Sequence, residues 1–155
     1  MGDVSVVEVK PVLVIGMRKR GTYAEIGQMI VVVWRYAAAS GAHITGRPMF
    51  ICHETPKEVM KANEESNADV EVAVPVAKKV PGTDRVTCYP LAGGTMAKIV
   101  HKGPYEGCAA AYKQLFAWIA EQHKKIVGPI REVYVNDPQK VPPEEVLTEI
   151  YAPIQ

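Results

Sequence analysis

Hydrophobic and polar positions run along this chain in two rounds of the same order. Residues 4–15 are rich in Val and Ile, as a strand would be, and a basic turn, Arg18-Lys19-Arg20-Gly21, follows. Ile26, Met29, Ile30, Val33 and Ala37 then recur at helical spacing, and Ser40-Gly41 supplies a stop signal. Residues 49–52 and 70–76 read as two further strands. The second half offers a strand over 86–100, a helix over 105–125, and strands over 131–135 and 148–154. Each half is therefore predicted to be β-α-β-β.

Sparse identities support a duplication. Gly21, Tyr23, Ala38, Gly46 and Pro56 recur 82 positions later as Gly103, Tyr105, Ala120, Gly128 and Pro138. Beyond them the offset becomes 78, which aligns Val70-Glu71-Val72 with Thr148-Glu149-Ile150. The expected fold class is α+β, a tandem duplication of β-α-β-β units with pseudo-two-fold symmetry. Its antiparallel sheets would carry helices on one face and a ligand cleft on the other. One domain over residues 1–155 is expected, with repeats at roughly 4–76 and 86–154. Thr55-Pro56-Lys57-Glu58 has the form of a capping box with Pro at the first helical position, so a short helix is predicted there. Residues 63–67 read as a polar loop, and Val141-Pro142-Pro143 as a break. Gly93-Gly94-Thr95 reads as a hairpin turn rather than a phosphate loop, because it lacks the following Gly-Lys-Ser/Thr.

The two helices differ in polarity. Lys113, Gln114, Ala117 and Glu121 of the second correspond to Val31, Val32, Arg35 and Ala39 of the first. A helix apolar nearly all round is buried on more than one side. Either the 55–67 insertion covers it, or a homodimer forms through Val31 and Val32.

Composition adds exclusions. Hydrophobic residues make up 48% of 155 and charged residues 23%, which is ordinary for a globular chain. Eighteen Lys plus Arg against seventeen Asp plus Glu leave +1, so nothing draws the chain to nucleic acid or an anionic membrane. Cys52, Cys88 and Cys108 are too widely spaced for a zinc knuckle, and their odd number fits a reducing cytoplasm. Asp3, Glu8 and Lys10 interrupt any signal sequence, and the apolar run 29–34 is far short of the roughly 20 residues a membrane span needs. His43, His53, His101 and His123 share no metal-type spacing and read as surface residues. No metal or cofactor is expected.

A carboxylate inside a strand otherwise made for burial is the main chemical signal: Arg131-Glu132-Val133-Tyr134-Val135. Alternation sends Ile130, Glu132 and Tyr134 to one face and Val133 and Val135 to the other. If helices cover the Val face, Glu132 lies on the opposite one. A cleft between the halves, lined by Phe50, Tyr134 and Tyr151, would then hold Glu132. Such a site suits a flat, lipophilic, often cationic molecule, because aromatic faces and a poorly hydrated carboxylate both attract positive charge. It would also suit general acid or base work. The alternative is a Glu132 ion-paired to a nearby Lys or Arg on a solvated sheet face.

The segments Gly128-Pro129-Ile130-Arg131-Glu132-Val133-Tyr134-Val135-Asn136-Asp137-Pro138 and Leu147-Thr148-Glu149-Ile150-Tyr151-Ala152-Pro153-Ile154 carry a resemblance. With Gly103-Pro104-Tyr105 and Leu115-Phe116-Ala117-Trp118-Ile119, they resemble the GyrI-like family. That family takes in the DNA gyrase inhibitor and the effector-binding domains of multidrug-responsive transcription activators. The resemblance covers essentially the whole chain and is specific in its C-terminal half. It implies a tandem β-α-β-β duplication around a ligand cleft, with Glu132 as the pocket glutamate and Tyr134 and Tyr151 in the aromatic lining. Tyr112, Trp118 and Trp34 are further candidate wall residues. The implied function is binding of lipophilic or cationic small molecules, for sensing or sequestration. An alternative is hydrolysis of cyclopropane-containing DNA-alkylating toxins by stand-alone relatives, with Glu132 as acid or base. No helix-turn-helix region precedes the domain, so DNA binding is not expected. A haem-binding relative is disfavoured because no histidine falls on the expected pocket face.

Overall fold

The computed structural model describes residues 3–155. The strands are β1 (Ser5–Val9), β2 (Val12–Gly21), β3 (Met49–Cys52), β4 (Ala68–Pro75), β5 (Thr87–Leu91), β6 (Gly94–Lys102), β7 (Ile130–Tyr134) and β8 (Leu147–Pro153). The helices are α1 (Ile26–Ala39), α2 (Val59–Glu64) and α3 (Cys108–Glu121). The fold is α+β, built on antiparallel strands.

Each strand expected at the start of a repeat is in fact two strands. Residues 4–15 divide at Lys10-Pro11, where proline has no N–H for a ladder. Residues 86–100 divide at Ala92-Gly93. Each repeat is thus β-β-α-β-β, and its first strand pairs outside the repeat: β1 with β6, β5 with β2. The chain accordingly forms two compact units, one comprising Pro11–Ala92 and the other the stretch through Lys10 with Gly93–Gln155. Gly93-Gly94 is therefore no hairpin turn, since β5 and β6 are not partners and the chain passes there from one unit to the other.

In the Pro11–Ala92 unit the strand order is β3-β4-β2-β5. The expected basic turn is instead the end of β2. Arg18, Lys19 and Arg20 stand opposite Glu71, Val70 and Asp69, and Arg18 makes a two-pronged ion pair with Asp69 (2.8 and 2.6 Å). Helix α1 packs on β4 and β2 through Met29, Val33 and Ala37, spaced four apart on one side. Its opposite side is not covered by the 55–67 insertion: α2 packs on β4, and Val31 and Trp34 stay 39% and 41% exposed. The short helix does form after Thr55, whose N–H is held by the Glu58 carboxylate at 2.9 Å.

In the other unit the order is β1-β6-β8-β7. Helix α3 packs on β6, and its core joins Ala111, Leu115 and Ile119 to Ala97, Ile99, Ile130, Ile150, Ala152 and Ile154. The helix stops at Glu121, four residues before the expected end, because His123 turns left-handed (φ 55°) while Lys124 N–H closes back on the Ile119 carbonyl. Among the described residues no helix is long and apolar enough to cross a membrane.

Candidate functional site

Ile130 lies in the core under α3, so strand alternation sends Glu132 and Tyr134 to that same helix-covered side. The register agrees, since Glu132 stands opposite Ile150, another core residue. This reverses the expected geometry, in which Val133 and Val135 faced the helix and the cleft lay on the far face. Val133 stands instead opposite Glu149 on the other side of the sheet. A carboxylate is tolerated under a helix because donors meet it there. Tyr112, from α3, donates its hydroxyl to Glu132 Oε2, and Tyr134 donates to Oε1 at 3.1 Å. Glu132 remains half-buried, with a tyrosine hydroxyl on each carboxylate oxygen.

Aromatic rings build the surroundings. Tyr105, in the turn before α3, meets Tyr134 edge to face, with centroids 5.6 Å apart and planes at 69°. Phe116 lies one helical turn beyond Tyr112, at 5.8 Å between centroids. Burial, and secondarily the Glu132 charge, hold the Tyr134 hydroxyl well above its usual range. The Cys108 thiol, at the start of α3, is pushed up to about 11 by burial and then by Glu132, with Thr148 partly opposing. It therefore stays a thiol at neutral pH and offers no nucleophile.

The other expected lining residues stand elsewhere. Tyr151 neighbours Ile150 and Ala152, which enter the core, so its own side chain goes to the opposite face from Glu132. There its hydroxyl donates to Glu149 at 2.9 Å, and Lys98 lies 5.3 Å from its ring centre while pairing with Glu149 at 3.2 Å. An internal cation thus already occupies that ring. Trp118 packs beside the core and borders an open depression of about 390 Å³ together with Asp3, Val4, Gln114, Ala117 and Glu121. Phe50 and Trp34 belong to the Pro11–Ala92 unit. Phe50 is buried against Tyr23 (5.8 Å, 71°), and Trp34 is exposed on α1.

Three features escaped sequence reasoning. Tyr105 is the repeat counterpart of Tyr23, and each ring packs edge-on in its own unit, so the duplication itself was a signal. His101, expected at the surface, is buried and donates from Nε2 to the Pro104 carbonyl at 2.9 Å. It also stands opposite Thr148, which stands opposite Tyr134, so a histidine does share the Glu132 face. Glu71 was the third: it too interrupts an apolar strand, and it is buried between His53 Nε2 (2.7 Å) and the Tyr89 hydroxyl (2.5 Å). No three metal-ligating side chains cluster among the described residues.

The profile of the GyrI-like small molecule binding domain matches residues 2–155. The chain belongs to that family. No curated protein matches it in sequence. The C-terminal domain of EcmrR superposes with a TM-score of 0.86 at 20% identity, covering 99% of this chain and 97% of that one. EcmrR in its complex with DNA gives 0.86 at 19%, again over 99% of this chain, which spans 57% of that one. SAV2435 bound to tetraphenylphosphonium gives 0.59 at 12% identity, over 99% and 94%. Identities this low establish a shared fold.

Proposed function

We propose that this GyrI-like domain binds flat or bulky lipophilic cations at Glu132, for sensing or sequestration. The observation that carries this reading is a half-buried carboxylate bonded by Tyr112 and Tyr134, whose rings pack in turn against Phe116 and Tyr105. Charge on the acid and π-faces around it attract the same kind of molecule, and a pocket of aromatics with one acid selects by charge and size rather than by detailed shape. The fold is shared with SAV2435, a protein solved with a lipophilic cation bound.

Isothermal titration with tetraphenylphosphonium and with neutral triphenylphosphine oxide tests the reading. Micromolar affinity for the cation is expected, weakened roughly ten- to hundred-fold in Glu132→Gln, with the neutral compound little affected. Equal losses for both compounds would mean that Glu132 acts through structure, and the reading would fall. Exposed Val31 and Trp34 on α1 also support a homodimer through Val31 and Val32. Light scattering on a Val31→Lys, Val32→Lys double variant should then report half the wild-type mass, and an unchanged mass removes the dimer.

A further inference from the structure

Glu132 and its two tyrosines are fixed by regular elements, but the third ring, Tyr105, sits on a turn between β6 and α3. Tyr105 is 41% exposed: one side meets the edge or face of Tyr134, and the rest is open to a ligand. The turn is built around a buried histidine. His101 is only 7% exposed, and its Nε2 donates to the Pro104 carbonyl, the peptide immediately before Tyr105. That acceptor fixes the proton on Nε2, and Nδ1 is left with no partner. The glycines on either side allow the turn to close over the imidazole. Gly103 adopts φ 126°, which side-chain-bearing residues rarely do, while its N–H bonds the Val146 carbonyl at 2.7 Å. A Cβ on Gly107 would lie 3.0 Å from His101 Cε1.

We propose that Tyr105 grips aromatic cations at the Glu132 site and that His101 is the positioning residue that holds it there. This rests on the reading of Glu132 as the ligand's counter-charge. A ring on a hydrogen-bonded turn is pre-ordered, so a ligand meets it without the entropy cost of fixing a loose side chain. Ligands with a flat π-face beside their charge gain from this ring, and compact aliphatic cations do not.

Titration with tetraphenylphosphonium and with tetraethylammonium, on the full chain, tests the proposal. Tyr105→Ala should weaken the aromatic cation roughly three- to thirty-fold, the span expected of one ring contact, with tetraethylammonium unchanged. Tyr105→Phe should bind as wild type. His101→Leu should reproduce the Tyr105→Ala loss, and the double variant should be no weaker than either alone, because one acts through the other. His101→Gln, which can present an N–H near the position of Nε2, should restore most of the affinity. Wild-type affinity in Tyr105→Ala overturns the proposal, as do additive losses in the double variant. Tyr105 is exposed, so its alanine variant decides the matter even if His101→Leu fails to fold. Should Glu132→Gln have no effect on the aromatic cation, the reading of the site fails. Should Glu132→Gln weaken binding while Tyr105→Ala does not, only the role of Tyr105 fails.

Discussion

Replacing Tyr112 by phenylalanine removes a single oxygen, and with it the hydroxyl that Glu132 Oε2 accepts. The ring remains, and with it the packing against Phe116. A hydrogen bond to a charged group contributes about 1.5–3 kcal/mol when its loss leaves the charge dry. Glu132 is half-buried, so water can partly replace the lost donor, and about 1–1.5 kcal/mol is the appropriate figure. For a chain of this length that lowers Tm by about 2–6 °C. Ligand affinity should move the other way. With one donor gone the carboxylate is less satisfied, so tetraphenylphosphonium should bind Tyr112→Phe as tightly as wild type or more so. Thermal melts with and without the cation measure both quantities on one sample, since ligand stabilisation follows from the ratio of concentration to Kd. A Tm within about 1 °C of wild type, against the expected drop of about 2–6 °C, would show that the tyrosine does not sustain the acid. A binding loss as large as that of Glu132→Gln would show that the Tyr112 hydroxyl, rather than the charge, recognises the ligand.

Two further outcomes follow from the Pro11–Ala92 unit. The Arg18 guanidinium, bonded to Asp69, holds that carboxyl below its ordinary 3.8. A lowered folded value stabilises the fold above about pH 4, and that contribution disappears as pH falls through the folded value. Because Arg18 is half-exposed, Asp69→Asn should cost only about 0.5 kcal/mol at pH 7 by urea unfolding, and the difference should close below pH 4. A difference constant from pH 7 to 3 contradicts the ion pair. Gly16→Ala should destabilise by about 1–3 kcal/mol, because its Cβ would lie 2.2 Å from the Tyr89 hydroxyl and 2.8 Å from the Val72 carbonyl. A circular-dichroism melt matching wild type would mean that Tyr89 moves aside without cost.

Local chemistry made most of the scaffold legible in the chain itself. Apolar residues at helical spacing determined α1, short apolar or alternating runs determined β3, β4, β7 and β8, and the recurrence of both established the duplication and the α+β class. These signals are short-range, since period and propensity act within a dozen residues. The acid was visible for the same reason: Glu132 interrupts an apolar strand, and alternation correctly grouped it with Ile130 and Tyr134. Which side of the sheet that group occupies was beyond sequence. Both faces of β7 carry apolar residues, and only the packing of Ile130 beneath Leu115 and Ile119 brought Glu132 under α3, within reach of Tyr112. Pairing was undetermined likewise, because a strand's ladder groups are identical along the backbone and do not name their partner. Tertiary structure sent β1 to β6 and β5 to β2, and it turned Tyr151 toward Lys98 instead of toward the acid.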